Sequence, residues 1–203
     1  MLVELNELNK SYHNGVFEVA ALKNINLKIN KGEFTVFAGP SGSGKTTLLN
    51  IVGTMDKLSS GEVRVDGIEL GALSKNEASD FRKDKIGFIF QSYNLIPVLT
   101  VYENVEFILD LVGKFTKSEK ELKINTLLEE LGLFEYKNRK PSELSGGQQQ
   151  RVAIARALIK EPLIVLADEP TANLDSKTGE NILDLMKKLN EDKGVTFIFS
   201  SHD

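Results

Sequence analysis

A glycine-rich run that ends in lysine and threonine is the segment with the clearest capacity for chemistry. It reads Gly39-Pro40-Ser41-Gly42-Ser43-Gly44-Lys45-Thr46 and fits the phosphate-binding pattern G-x-x-x-x-G-K-[ST] in full. Glycines let the backbone wrap a triphosphate so that successive N–H groups point at its oxygens. Lys45 would place a full charge on the β- and γ-phosphates, and the Thr46 hydroxyl would reach Mg²⁺. A glycine-rich turn is the alternative, but the run lies between a predicted strand and a predicted helix, as phosphate binding requires.

Two carboxylates follow a buried strand later in the chain. Residues 163–167 form an apolar run that ends in Asp168 and Glu169. Ligand sites of parallel sheets lie at the carboxyl ends of strands, so Asp168 is placed to reach the shell of Mg²⁺, usually through water. Glu169 would point to the other side of the backbone and take a proton from an attacking water. A pair of acids that caps a helix has the same sequence pattern, and the glycine-rich run upstream favours the catalytic interpretation.

A second glycine-containing segment opens a helix. It reads Leu144-Ser145-Gly146-Gly147-Gln148-Gln149-Gln150-Arg151. Ser145 and the first amides of the helix predict a second anion site at a helix N-terminus. Taken alone, the segment is also typical of an ordinary serine cap.

Composition restricts the class of protein. The 203 residues are 41% hydrophobic and 27% charged, and the net charge is −4, which is typical of a soluble globular chain and argues against nucleic acid as the main partner. The absence of cysteine excludes disulfides, thiolate metal sites and cysteine nucleophiles. The longest uncharged stretch, residues 86–102, falls short of the ~20 apolar residues of a membrane helix, and the N-terminus does not read as a signal peptide. Any link to a membrane is therefore expected to go through a partner.

Hydrophobic periodicity predicts an α/β chain. Alternating apolar residues predict antiparallel strands at 2–8 and 20–29, with a further strand and turn at 61–70. Continuous apolar runs predict buried strands at 34–38, 86–90, 163–167 and 195–199. Helical periodicity covers 46–55, most of 101–160, and 182–189. Strand and helix alternate in the second half, which predicts parallel βαβ units, with a helical insert between Gln91 and Leu163.

The ordered set of motifs resembles the ATP-binding cassette (ABC) ATPases. The set comprises the glycine-rich run, Gln91, Leu144-Ser145-Gly146-Gly147-Gln148, Asp168-Glu169, Asn173-Leu174-Asp175 and His202. The surroundings of Gln91 and residues 144–158 and 167–175 look like the lipoprotein-release and macrolide-export subfamily, which commonly has Gly where Ala172 stands, and the cell-division ATPases are close relatives. The resemblance implies a single domain over residues 1–203. Its fold would be a P-loop NTPase core with an N-terminal antiparallel β subdomain and a helical signature subdomain inserted at about 92–160. Family members continue beyond the position of His202, so the C-terminal end of the family domain is expected to be missing.

The resemblance also implies roles for single residues. Tyr12 would stack on adenine, Gln91 would touch the Mg²⁺ site and sense a transport partner, His202 would hold the γ-phosphate and the attacking water, and Asp175 would lie at a dimer seam. His13 has no role. The implied catalytic residues are Glu169, His202, Lys45 and Gln91, and the metal residues are Thr46, Gln91 and Asp168. The implied nucleotide contacts are Tyr12, Gly39, Pro40, Ser41, Gly42, Ser43, Gly44, Lys45, Thr46, Thr47, Ser145, Gly146, Gly147, Gln148 and Asp175.

The implied function is ATP hydrolysis, with ATP and Mg²⁺ as cofactors, by two copies packed head to tail around ATP and coupled to a membrane permease. The chain would then lie in the cytoplasm, on the inner face of the membrane. The apolar segment at residues 93–99 is either core or part of a docking groove for the permease.

The alternative to a transporter subunit is a soluble ABC ATPase of DNA repair or translation, or a regulator with little turnover. Export or lipoprotein release is expected, while lipoprotein, peptide, macrolide and cell-wall substrates remain open because the permease selects the substrate.

Overall fold

Two sheets of different type form the scaffold of the chain, whose computed structural model describes residues 1–15 and 17–202. The antiparallel sheet contains strands β1 (Val3–Asn14), β2 (Phe17–Ile29), β4 (Ser60–Val65) and β5 (Ile68–Glu69), in the order β2-β1-β4-β5. The parallel sheet contains β3 (Phe34–Ala38), β6 (Ile86–Ile89), β7 (Ile164–Ala167) and β8 (Thr196–Ser201), in the order β3-β8-β7-β6. The predicted α/β class, with antiparallel strands first and parallel βαβ units later, is confirmed.

The helices pack against these sheets. The described residues form the helices α1 (Lys45–Val52), α2 (Lys75–Lys85), α3 (Val101–Val112), α4 (Lys117–Glu130), α5 (Gly146–Leu158) and α6 (Ser176–Lys193). Short 3₁₀ turns lie at Leu70–Ala72, Phe134–Tyr136 and Pro141–Glu143. Within the part of the chain that the structure describes, none of the helices is long and apolar enough to cross a membrane.

The sequence analysis missed helix α2, although its start carries a recognisable signal. Ser74 Oγ accepts a hydrogen bond from the Glu77 amide, and Glu77 Oε2 accepts one from the Ser74 amide at 2.9 Å. This reciprocal capping box satisfies two amides that the first helical turn leaves unpaired. The helix has few apolar residues and buries mainly Phe81, so its hydrophobic periodicity is too weak to reveal it.

The parallel sheet separates two apolar cores. Along β7, Val165 and Ala167 join the core formed with helices α3 to α6, while Ile164 and Leu166 join the core formed with α1 and the antiparallel sheet. Side chains alternate between the faces of a strand, and both faces of this strand are covered. The continuous apolar sequence of β7 follows from this double burial.

Gly87 sets how closely α5 approaches the parallel sheet. A Cβ atom at this position in β6 would lie 2.5 Å from the carbonyl oxygen of Ala157 in α5, which is closer than real Cβ contacts allow. A side chain there must push a backbone segment away, and such overpacking typically costs about 1–3 kcal/mol.

We therefore predict that Gly87→Ala lowers the free energy of unfolding by about 1–3 kcal/mol, measured by urea denaturation. Gly179→Ala is the matched control, because its Cβ would meet Thr171 Cβ at an ordinary 3.4 Å inside helix α6. Alanine is favoured over glycine in helices by up to about 1 kcal/mol, so the control is expected to be neutral or stabilising. Equal effects of the two substitutions would contradict this packing constraint.

Candidate active site

The predicted site residues follow the carboxyl ends of the four parallel strands. The glycine-rich run follows β3, Gln91 follows β6, Asp168 and Glu169 follow β7, and His202 follows β8. Because the strands are parallel and adjacent, these four ends lie along one edge of the sheet, where α/β proteins bind ligands. The fold therefore brings together groups that lie far apart in the sequence.

The turn after β3 leaves its amides available for an anion. Gly44, which precedes α1, has φ 90°, and a Cβ there would lie 2.6 Å from the Ala21 carbonyl oxygen of β2. Only glycine fits this combination of backbone angle and close approach. Among the α-helices of the described residues, α1 alone has no side-chain cap at its N-terminus. The first amides of α1, together with the positive end of the helix dipole, are thus free to bind phosphate.

Lys45 is buried inside this turn, with 9% of its surface exposed. Its Nζ donates hydrogen bonds to the carbonyl oxygens of Gly39 at 2.5 Å and Pro40 at 3.0 Å. The ammonium group is therefore held within the loop that its sequence pattern assigns to phosphate binding.

Thr46 and Asp168 form the site predicted for the metal. Thr46 Oγ1 donates to Asp168 Oδ1 and Oδ2 at 3.0 and 2.9 Å. Ser200 Oγ of β8 donates to Asp168 Oδ1 at 2.7 Å and accepts from the Glu169 amide at 2.9 Å. Sequence reasoning missed Ser200, although its position in the last parallel strand, two residues before His202, was a usable signal. The site offers hydroxyl and carboxylate oxygens, which are the donors that Mg²⁺ prefers.

Glu169 and His202 are in direct contact. His202 Nε2 lies 2.6 Å from Glu169 Oε1, and the side chains are 46% and 12% exposed, respectively. Glu169 has φ 47°, a left-handed conformation that is uncommon for residues other than glycine. Its carbonyl oxygen accepts a hydrogen bond from the Ala172 amide at 3.2 Å. A proton acceptor and a hydrogen-bond donor thus meet beside Asp168.

Gln91 is connected to the same edge through its backbone. Its carbonyl oxygen accepts a hydrogen bond from Asn173 Nδ2 at 2.8 Å, which ties the end of β6 to the loop after β7. Contact of the Gln91 side chain with a metal stays a prediction.

The second glycine-containing segment caps helix α5. Ser145 Oγ accepts from the Gln148 amide, and Gln148 Oε1 accepts from the Ser145 amide at 2.9 Å. This box uses the amides of Ser145 and Gln148, while those of Gly146 and Gly147 lie in the first helical turn, whose N–H groups have no intrahelical partner. A Cβ at Gly146 would lie 3.1 Å from Tyr93 Oη, and one at Gly147 would lie 2.7 Å from Thr178 Cγ2. The serine cap considered for this segment is present, while anion binding by the Gly146 and Gly147 amides stays a prediction.

Asp175 lies close to that helix start. Its carboxylate accepts a hydrogen bond from the Thr178 amide at 3.0 Å and caps α6. Hydrogen bonding by the Thr178 side chain, and then by its amide, lowers the pKa of Asp175 below its usual range. Thr178 therefore touches both Asp175 and the Gly147 position. Asp175 thus caps helix α6 at a position next to the start of α5. Its predicted place at a dimer seam is compatible with this cap and stays a prediction.

Tyr12 lies on β1 with 42% of its surface exposed. Its Oη donates to Asp56 Oδ2 at 2.7 Å and lies 3.5 Å from Thr47 Oγ1 of α1. The ring is thus held beside helix α1. This helix begins within the glycine-rich turn of residues 39–46, called the phosphate turn below. His13, for which no role is predicted, is exposed.

Similarity to known proteins agrees with this geometry. Residues 22–172 match the family described as ABC transporter. The chain is 50% identical to the ABC transporter ATP-binding protein MJ0796 of Methanocaldococcus jannaschii, with 100% of this chain and 87% of that protein covered. A solved structure of MJ0796, described as a dimeric post-hydrolysis state bound to ADP and Pi, superposes with a TM-score of 0.89, covering 100% of this chain and 88% of that one.

Two relatives carry names that refer to transport systems. The lipoprotein-releasing system ATP-binding protein LolD of Francisella tularensis is 44% identical, with 100% of this chain and 88% of that protein covered. The macrolide export ATP-binding/permease protein MacB of Mannheimia succiniciproducens is 48% identical and is covered over only 31% of its length, against 100% of this chain. The family match, the relatives and the edge of the parallel sheet lead to one conclusion: the chain belongs to the ABC transporter family, as one of its ATP-binding subunits.

Proposed function

We propose that this chain binds and hydrolyses Mg²⁺-ATP as one half of a head-to-tail dimer that drives a membrane permease. One observation carries the proposal: an uncapped helix N-terminus with Lys45, an oxygen pair at Thr46 and Asp168, and the Glu169–His202 pair follow three adjacent parallel strands, β3, β8 and β7. This set supplies phosphate binding, metal ligands and a base for water at one place.

The phosphate turn is the anchor of the nucleotide. The first amides of α1 would bind phosphate oxygens, and the Lys45 ammonium would exchange its two carbonyl partners for phosphate oxygens, with which it forms stronger, charge-assisted hydrogen bonds. Thr46 Oγ1, Asp168 and Gln91 would hold Mg²⁺, directly or through water. Mg²⁺, when bound, neutralises charge on the β- and γ-phosphates.

Glu169 is the proposed general base. Its Oε1 lies 2.6 Å from His202 Nε2, and Oε2 would take the proton of the attacking water. His202, which is more exposed than Glu169, would turn its ring toward the γ-phosphate and orient that water. The two residues would thus act on the same water molecule from two sides.

A second copy would complete the site. In this proposal the amides of Gly146 and Gly147 and the Ser145 hydroxyl of one copy bind the γ-phosphate held by the other copy. Negative charge is favoured at a helix N-terminus, and the outward-facing oxygens of the γ-phosphate need donors. The dimeric form described for the solved MJ0796 structure supports this arrangement. ATP would favour the closed dimer only by its higher affinity for that state.

The groove between α2, α3 and α5 is the proposed contact with the permease. This cavity of ≈320 Å³ is lined by apolar side chains of Phe88, Phe90, Ile108 and Leu111 and by four cations, Arg82, Lys83, Arg156 and Lys160. Arg156 Nη1 donates to the Asn94 carbonyl oxygen at 2.5 Å, which connects the groove to the segment after Gln91. A cytoplasmic permease helix with apolar and acidic side chains would suit this lining.

The apolar segment at residues 93–99 has a divided role. Tyr93 and Leu95 pack against the core, whereas Val98 is 70% exposed. In the proposal, only the exposed part contributes to docking, beside the groove. The chain would be held at the cytoplasmic face of the membrane through this contact, and the permease would select the exported or released substrate.

Replacing the proposed base tests hydrolysis and dimer formation together. Glu169→Gln keeps the shape but cannot accept a proton, so the hydrolysis rate should fall about 10²–10⁴-fold while ATP binding persists. With Mg²⁺-ATP the variant should accumulate as a dimer in size-exclusion chromatography with light scattering. Glu191→Gln, an exposed residue of α6, is the control. A variant that binds ATP and stays monomeric would contradict the dimer.

Lys45→Ala tests the phosphate turn. A hydrogen bond to a charged group contributes about 1.5–3 kcal/mol, so ATP affinity should fall about 10-fold or more, measured by isothermal titration calorimetry. The exposed Lys187→Ala in α6 should bind ATP as the unchanged chain does. Unchanged affinity in Lys45→Ala, with folding confirmed by thermal melting, would refute the phosphate assignment.

Leu111→Glu tests the groove. Leu111 of α3 is 55% exposed and lines the groove, while Leu122 of α4 is 70% exposed and does not. A carboxylate at position 111 should prevent capture of an integral membrane protein from detergent-solubilised membranes, without a change in ATP affinity. Leu122→Glu should capture that protein normally. Loss of capture in both variants, or in neither, would speak against the groove.

A further inference from the structure

A partly buried ion pair contacts the Tyr12 side chain. Lys10 Nζ donates to Asp56 Oδ1 at 2.7 Å, and Tyr12 Oη donates to the other oxygen, Oδ2, at 2.7 Å. The Lys10 and Asp56 side chains are only 10% and 29% exposed. One carboxylate thus binds both the lysine and the tyrosine of the same strand.

The strand geometry explains this convergence. Lys10 and Tyr12 are two residues apart on β1, so their side chains leave the same face. Lys10 Nζ also lies 4.6 Å from the centre of the Tyr12 ring, within the range of a cation–π contact. The ring is therefore fixed at its hydroxyl by Asp56 and at its face by Lys10.

The carboxylate is itself held firmly. The Lys57 amide donates to Asp56 Oδ1 at 2.7 Å, and the Asp56 amide donates to the Asn50 carbonyl oxygen of α1 at 3.1 Å. Burial disfavours the charged carboxylate, but the bonds from Lys10, Tyr12 and Lys57 outweigh it and lower the pKa of Asp56. Asp56 therefore ties the strand of Tyr12 to the helix that carries the phosphate turn.

We propose that Lys10 and Asp56 are positioning residues that hold the Tyr12 ring as a stacking platform for the base of the bound nucleotide. This inference rests on the proposed function, in which Tyr12 stacks on adenine. An exposed tyrosine would otherwise lose rotational freedom when it stacks, which weakens binding. A ring already fixed by two contacts avoids that loss. The pair therefore contributes to recognition of the base and leaves recognition of the triphosphate unchanged.

The experiment compares the affinity for Mg²⁺-ATP with that for Mg²⁺-tripolyphosphate, which has no base. Three single variants of the full chain are measured by titration calorimetry: Tyr12→Ala, Tyr12→Phe and Asp56→Asn. Stacking of one base contributes about 1–3 kcal/mol, so Tyr12→Ala should weaken ATP binding about 5- to 150-fold. Tyr12→Phe removes the hydroxyl that Asp56 binds, and Asp56→Asn removes the negative charge that holds Tyr12 and Lys10, so each should weaken ATP binding about 2- to 10-fold.

The remaining readouts separate positioning from general destabilisation. Tripolyphosphate affinity and kcat at saturating ATP should stay unchanged in all three variants, while KM for ATP rises. The double variant Tyr12→Phe/Asp56→Asn should bind ATP no more weakly than the worse single variant, because both changes act on the same contact between Tyr12 and Asp56. Glu62→Gln, which breaks the ion pair with Arg64 in the neighbouring strand β4, is the control and should bind ATP normally.

Two results would overturn the inference, and they differ from failure of the proposed function. Normal ATP affinity in Tyr12→Phe and Asp56→Asn, with weakened affinity in Tyr12→Ala, would refute the positioning role of Lys10 and Asp56. It would leave the stacking role of Tyr12 intact. An equal loss of ATP and tripolyphosphate affinity would show a purely structural role. Normal ATP affinity in Tyr12→Ala would instead refute the stacking role of Tyr12, and the inference with it. If Asp56→Asn does not fold, the milder Tyr12→Phe decides the outcome.

Discussion

The common direction of four adjacent strands is the constraint on which the site depends. Parallel strands place all their carboxyl ends at one edge, and here each end leads into a residue with a proposed chemical role. The order β3-β8-β7-β6 puts the ends of β8 and β7 side by side, which allows His202 to meet Glu169. It also puts β8 next to β3, so that the phosphate turn adjoins the same pair. Burial of β7 on both faces fixes this order.

The same edge collects charged groups that are paired within the protein. Lys45 is satisfied by two carbonyl oxygens, and Asp168 by the hydroxyls of Thr46 and Ser200. A buried polar group without a partner costs about 1–3 kcal/mol, so these contacts stabilise the edge. Phosphate and metal would exchange these partners for stronger ones. The contacts within the protein therefore position Lys45 and Asp168, and these contacts can be exchanged when phosphate and metal bind.

Sequence reasoning placed the candidate residues at element boundaries correctly, because they follow strands or open helices. Lys45, Asp168 and His202 are each recognisable from an apolar run that precedes them. It could not predict contacts whose partners lie far apart and carry no pattern. Asp56 binds Lys10 across 46 positions, and nothing in the local sequence of either residue indicates the other. Helix α2 was missed because its hydrophobic periodicity is weak, since it buries mainly Phe81, and its capping box was the one signal left.

The contacts of the γ-phosphate test the central claim most directly. A crystal structure of the Glu169→Gln chain with Mg²⁺-ATP would show them. ATP shared between two copies is expected, with Lys45 of one copy and the amides of Gly146 and Gly147 of the other bound to the γ-phosphate. A γ-phosphate contacted by a single copy, with residues 145–147 of the other copy directed elsewhere, would contradict the shared site.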